Sequence, residues 1–200
     1  MVHSPGGDPR LPDGDRLPAG VVLAPLDLAA RVDEALEVQA VAFGLTDEEV
    51  GIRRHIVQRH MTYPGARALG AFAEDDARLV GFVYGMPNDR MHWWSTVVEP
   101  YLRVQGEDGW LDGSFTITEL HVHPGFQGRG VGRGLITRIT DGAAESRSIL
   151  SAIDIESPAR GLYRALGYRD LARRVYFPSA PQPYAVMGAP LPLLRAAAAW

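Results

Sequence analysis

The stretch Glu119-Leu-His-Val-His-Pro-Gly-Phe-Gln-Gly-Arg-Gly-Val-Gly-Arg-Gly-Leu135 holds most of the residues in this chain whose type and spacing can do chemistry. It reads as a strand, a glycine-rich turn and a helix start in immediate succession. Glycines let a backbone approach a ligand closely, and the first amides of a helix lack intrahelical partners and carry partial positive charge. Arg129 and Arg133 add full charges, so the turn is a candidate anion site suited to a diphosphate. In the strand before it, Phe115, Ile117, Glu119, His121 and His123 share one face. A carboxylate at Glu119 can take a proton from a nucleophile, directly or through water, or it can shape a pocket as an ion-pair partner. His121 and His123 show no third ligand, so no metal is expected.

The elements that must position these residues follow from local pattern. Met1 to about Gly20 is rich in Pro, Gly and Asp, so residues 1–20 read as a flexible tail and 21–200 as a single domain. Val21–Ala24 is a short strand, followed by Asp27 as cap of a helix that ends at Gly44. Thr46-Asp-Glu-Glu49 is a capping box opening a second helix to about His60. Arg67–Ala73 and Arg78–Met86 form a hairpin. Residues 87–114 break the rhythm as a helical aromatic insertion, with Trp93, Trp94, Val97, Val98, Tyr101 and Leu102 on a wide face interrupted at Pro100. After the turn a helix runs to about Glu145, Ser148–Ile155 is a strand, and Ser157-Pro158 opens a short helix closed by Gly167. Leu171–Phe177 and Tyr184–Ala189 are late strands, and Leu191–Trp200 is an apolar tail with no assignment.

Bulk properties narrow the function. With 200 residues, 46% hydrophobic and 22% charged, the chain has ordinary globular composition. A net charge of -4 offers no broad basic surface, so nucleic acid is not the expected partner. The absence of cysteine excludes disulfides, thiolate metal sites and a cysteine nucleophile, and fits a cytoplasmic protein. No apolar run reaches the roughly 20 residues a membrane helix needs, so no membrane partner is expected.

Gln127-Gly-Arg-Gly130-Val-Gly132 resembles the Q/R-x-x-G-x-G/A acetyl-CoA signature of the GNAT acetyltransferase superfamily, and Leu162-Tyr-Arg-Ala-Leu-Gly-Tyr168 resembles that family's later L-Y-x-x-L-G-F/Y segment. The resemblance implies an α/β fold: a mixed, partly splayed sheet flanked by helices, with the insertion before the central strand. It implies acyl-CoA threaded between the strand ending near His123 and the one ending near Ile155. Residues Gln127, Gly128, Arg129, Gly130, Val131, Gly132 and Arg133 would hold the diphosphate, and the backbone of His121, Val122 and His123 would pair with the pantetheine arm. A dinucleotide turn, with Asp154 as its ribose-binding acid, fits poorly because Arg133 or Leu135 stands where its third glycine belongs.

The same resemblance makes Tyr163 the general acid toward the CoA sulfur, with Glu119 as candidate base. Trp93, Trp94 and His121 are candidate acceptor-binding residues; alternatively the insertion packs its rings on its own core or in a homodimer. Glu156 departs from the asparagine that many members carry, placing a charge near the expected CoA path. The implied activity is transfer of an acetyl group from acetyl-CoA to a primary amine of a small molecule or peptide by direct attack. Its rivals are a non-catalytic CoA-binding regulatory module and an acyltransferase using a different acyl-CoA.

Overall fold

The computed structural model describes residues 14–178 and 180–194. In chain order these form β1 (Asp15–Leu17), β2 (Val21–Pro25), α1 (Val32–Phe43), α2 (Asp47–His60), β3 (Arg67–Ala73), β4 (Leu79–Pro87), α3 (Trp93–Val104), β5 (Ser114–Val122), α4 (Val131–Asp141), β6 (Arg147–Ile153), α5 (Pro158–Ala165), β7 (Arg169–Val175) and β8 (Tyr184–Pro190). The strands hydrogen-bond in the order β1-β2-β3-β4-β5-β6-β8-β7, a mixed sheet flanked by helices. Contacts gather the chain into two compact units. One holds residues up to Met61, Ala68–Phe82 and Leu120–Leu135; the other holds Thr62–Arg67, Val83–Glu119 and the chain from Ile136 on.

In the first unit, β2 is apolar and buried on both faces from Val21 to Ala24 and pairs antiparallel with β1 on one side and β3 on the other. Strand β1 lies inside the stretch expected to be a tail. Leu17 supplies the reason, because it packs over Gly134, where an added Cβ would sit 3.0 Å from its methyl group. The chain then turns through Gly20 at φ 68°. Residues 1–13 of that expected tail lie outside the described residues. Asp27 does not cap α1. Its carboxylate accepts from Ala30 N at 3.0 Å and its carbonyl from Arg31 N at 3.0 Å, closing a separate turn, and α1 starts only at Val32. Gly44 ends α1 in the left-handed region at φ 71°, and α2 opens on the complete Thr46–Glu49 capping box, both as the spacing predicts.

The second unit contains the insertion. Helix α3 runs straight through Pro100 instead of breaking there. A proline in a helix interior costs roughly 3 kcal/mol, but Val98 and Leu102 are both fully buried, and burial of two such side chains returns a similar or larger amount. These two residues join Leu111, Ile149, Leu171, Ala172, Val175 and Val186 in one apolar cluster, against which Trp94, Tyr101, Trp110 and Phe177 pack. Asn88 ties the polar backbone of the insertion together. Its Nδ2 donates to the Leu111 carbonyl at 2.8 Å, while its Oδ1 accepts from Ser95 Oγ at 3.0 Å and Thr116 Oγ1 at 2.9 Å. At the other end of the chain, Leu193 is buried and Leu194 N donates to the Leu166 carbonyl at 3.1 Å; residues 195–200 of the unassigned tail lie outside the described residues.

Asn88→Ala should lower unfolding free energy by about 2–3 kcal/mol in urea titrations, because it strands the buried Ser95 and Thr116 hydroxyls and the Leu111 carbonyl. A change below about 0.5 kcal/mol would show that this network does not hold the insertion in place.

Candidate functional site

The glycine turn belongs wholly to the first unit. Where β5 ends, His123 N donates to the Val80 carbonyl at 2.8 Å, and its Nδ1 accepts from Gly125 N at 3.1 Å, capping a short 3-10 turn over Pro124–Phe126. Gln127 then reaches back, its Nε2 donating to the Val122 carbonyl at 2.9 Å. The motif glutamine therefore fixes the entry of the loop. Gly128 and Gly130 follow at φ 72° and 84°, where a side chain is strained, and a Cβ at either would meet no atom within 4 Å. The Gly130 carbonyl accepts from Gly134 N at 2.9 Å as α4 begins, with Val131 buried beneath it. Two glycines at positive φ on an open surface beside a helix start make a cradle that backbone amides can line.

The two arginines of the turn differ. Arg129 lies over the Phe126 ring at 5.7 Å, whereas Arg133 keeps a buried Nη1 with no hydrogen-bond partner. Gln39 Nε2, Arg67 Nε and Arg160 Nε are buried without a partner in the same way. His121 lies among aromatic rings. It is buried, with the Phe43 ring edge-on at 5.4 Å and Phe82 at 5.5 Å. Of the backbone groups expected to meet pantetheine, His123 N–H and Val122 C=O already have the partners named above.

In the second unit, β5 and β6 pair in parallel over Ser114↔Arg147, Phe115↔Ser148 and Thr116↔Ile149, while β6 pairs with β8 along its whole length from Arg147 to Ile153. Glu119 sits half-buried on β5 beyond that paired segment. Tyr163 comes from α5, which opens on Ser157, whose hydroxyl accepts from Arg160 N at 3.3 Å, and on Pro158. The Tyr163 ring is buried, meeting Tyr168 edge-on at 5.8 Å. Tyr168 in turn shares a 2.6 Å hydrogen bond with the Ser148 hydroxyl. Burial, and after it the charge of Glu119, push the Tyr163 phenol up to about 12. At neutral pH this phenol is held fully protonated, with a carboxylate in electrostatic reach.

The surroundings of α5 hold what sequence reasoning missed. Arg160 is completely buried and bridges two carboxylates, Asp154 at 2.7 Å and Asp170 at 2.6 Å to each oxygen. Asp154, the residue a dinucleotide site would have used, instead also takes Arg173 at 2.8 Å and the amide of Arg174 at 3.1 Å. The one available signal was an arginine in the first turn of a helix, where its charge opposes the dipole, with acids at 154 and 170. Glu156 forms a two-point pair with Arg164 at 2.6 and 2.8 Å, which holds its carboxyl below the usual range and balances the charge that made this position unusual.

Most aromatic rings of the insertion pack inward. Trp94 donates its indole N–H to Ser151 on β6 at 3.2 Å, and Trp110 lies under the guanidinium groups of Arg147 and Arg169 at 5.2 and 5.4 Å. Trp93 is different: it is 57% exposed and stands 6.0 Å from Phe177, which meets Tyr184 edge-on at 5.2 Å.

A domain family described as acetyltransferase (GNAT) domain matches residues 67–170, more than half of the chain. The chain belongs to the GNAT acetyltransferase family. A GCN5-like protein acetyltransferase of Mycobacterium tuberculosis is 34% identical over 135 residues, covering 63% of this chain and 66% of that protein; the chain thus matches just under two thirds of its relative's length. Two crystal structures share the fold: a GNAT-family protein from Desulfovibrio desulfuricans (TM-score 0.62, 17% identity, 85% of this chain and 98% of that one) and the ribosomal-protein-S18-alanine N-acetyltransferase of Escherichia coli (TM-score 0.59, 14% identity, 90% and 98%). For a GNAT domain the donor is acetyl-CoA.

Tyr163 also gives a stability signature. Its folded-state value lies above the ordinary 10, so the folded chain keeps a proton that the unfolded chain loses; the resulting stability is present below pH 10 and vanishes as pH rises toward 12. Relative to Tyr163→Phe, the wild type should lose about 2–3 kcal/mol across that window in denaturant titrations at stepped pH. Parallel pH profiles for the two proteins would contradict the burial of this phenol.

Proposed function

We propose that the chain is an acetyl-CoA-dependent N-acetyltransferase that moves an acetyl group to a primary amine of a small molecule or peptide by direct attack, acting in the cytoplasm. The observation that carries this reading is the Tyr163 phenol: buried, held neutral, and within the field of the Glu119 carboxylate. A proton donor for the leaving group and a proton acceptor for the amine are what acyl transfer to an amine requires.

Acetyl-CoA supplies the activated thioester when bound. The backbone amides from Gly128 to Arg133 hold its diphosphate beside the charges of Arg129 and Arg133, and Gln127 keeps the loop in shape by its bond to Val122. Glu119 removes a proton from the incoming ammonium, directly or through water, so that the amine has a lone pair. The amine's lone pair forms the C–N bond at the thioester carbonyl and the C–S bond breaks. Tyr163 gives its proton to the departing sulfur, while the second proton that the nitrogen sheds as the amide forms restores the phenol, directly or through water. No residue becomes covalently modified, which suits a chain without cysteine.

The relative named as a protein acetyltransferase supports a peptide or protein amine as acceptor, and the exposed Trp93 ring of the insertion is one aromatic surface for it. The non-catalytic reading drew on the unusual charge of Glu156 and on the unassigned base; of these, the Glu156 charge is paired with Arg164. No helix among the described residues is long and apolar enough to cross a membrane.

Tyr163→Phe should lower kcat for acetyl transfer by about a hundredfold while leaving the KM for acetyl-CoA unchanged, since it removes a proton donor and not a binding contact. Equal turnover would remove the general-acid role. Gly130→Val should weaken CoA binding in calorimetry by tenfold or more, in line with the roughly 1–2 kcal/mol a side chain costs in the left-handed region. Unchanged affinity would move the diphosphate elsewhere.

A further inference from the structure

We propose that Arg160 is a positioning residue for acyl transfer, and that its buried bridge to Asp154 and Asp170 sets the place of the Tyr163 hydroxyl; this rests on Tyr163 acting as the acid. Arg160 occupies the third position of α5, with its side chain fully buried, and the carboxylates it joins come from the chain just past β6 and from β7. Two nitrogens of one planar fork meet two separate acids at 2.7 and 2.6 Å, so both the rotation and the height of the helix are fixed against two strands at once. Tyr163 lies three residues on, the neighbouring position on the same helical face.

The cluster is poorly explained by fold stability alone. A cation in the first turn of a helix opposes the helix dipole, and a buried ion pair generally stabilises no more than apolar residues of the same volume would. Its Nε is buried without a partner as well, a further cost. What a guanidinium provides that an apolar group cannot is directional two-point attachment. The arrangement is braced from outside: Arg173 donates to the same Asp154 Oδ1 that Arg160 meets, and the amide of Arg174, itself at φ 55°, donates to the other oxygen. A proton donor must sit within a fraction of an ångström of its target for full effect, so a helix pinned in this way has a catalytic consequence.

A double-mutant cycle tests this. Arg160→Lys keeps the charge but cannot bridge both acids, and Asp170→Asn loosens one arm while Arg160 keeps Asp154, so either variant can carry the test should the other fail to fold. Each is made alone and with Tyr163→Phe, with thermal unfolding confirming a folded chain. The expected result is a roughly tenfold fall in kcat, a KM for acetyl-CoA within about twofold of wild type, and no further fall in the Tyr163→Phe background. A full multiplicative fall in that background, or wild-type turnover for the single variants, overturns the proposal. Wild-type turnover of Tyr163→Phe by itself overturns both the acid role and the positioning built on it, whereas a slow Tyr163→Phe with multiplicative Arg160→Lys overturns the positioning alone.

Discussion

The parallel pair β5 and β6 is joined over three residue pairs, from Ser114↔Arg147 to Thr116↔Ile149, and the strands around it are arranged accordingly. Strand β6 stays bound to β8 throughout, so its geometry is set on that side, while β5 continues past Thr116 without the same partner. Backbone groups on a strand must be satisfied by something. At the far end of β5, peptide geometry sends the His123 N–H toward Val80 on β4 and the Val122 carbonyl the opposite way, where the Gln127 side chain meets it. On the proposed function, an extended pantetheine arm supplies partners to other such groups, as an added strand would. The motif glutamine is thus part of the same accounting as the sheet.

Burial then assigns chemical roles to groups that look alike in sequence. Tyr163 and Tyr168 are both buried and both pushed upward by loss of solvent, but Tyr168 is bonded to Ser148 while Tyr163 lies in the field of Glu119. Asp154, Asp170 and Glu156 are all acids around α5, yet the first two hold one buried arginine and the third pairs with Arg164 at the surface. Each of these acids is balanced by an arginine. The charge pattern around α5 is compensated locally, by Arg160 and Arg173 for Asp154, Arg160 for Asp170 and Arg164 for Glu156.

The insertion shows how packing decides between readings that sequence leaves open. Trp94, Tyr101 and Trp110 serve the apolar cluster beneath β6, β7 and β8, and only Trp93 turns a large face to solvent. Pro100 marked a helix break by local rule, yet the buried Val98 and Leu102 outweigh it. Similarly Asp27 was a good cap by residue type, but its carboxylate closes a turn ahead of the helix, and Leu17 packing on Gly134 draws a strand out of a stretch whose composition reads as a tail.

The sequence by itself determined the family, the glycine turn, the capping box at Thr46, the helix stop at Gly44 and the helix opening at Ser157-Pro158, because each depends on residues close together in the chain whose backbone preferences and hydrogen-bonding groups act locally. Only the tertiary structure decided that His121 packs among Phe43 and Phe82, that Glu156 is matched by Arg164, and that Asp154 and Asp170 close on a buried Arg160. Those outcomes depend on which surfaces meet after the strands pair, and on how strongly each meeting excludes water. No local pattern carries that information, since the same arginine or histidine in the same helix or strand would face solvent in a different packing.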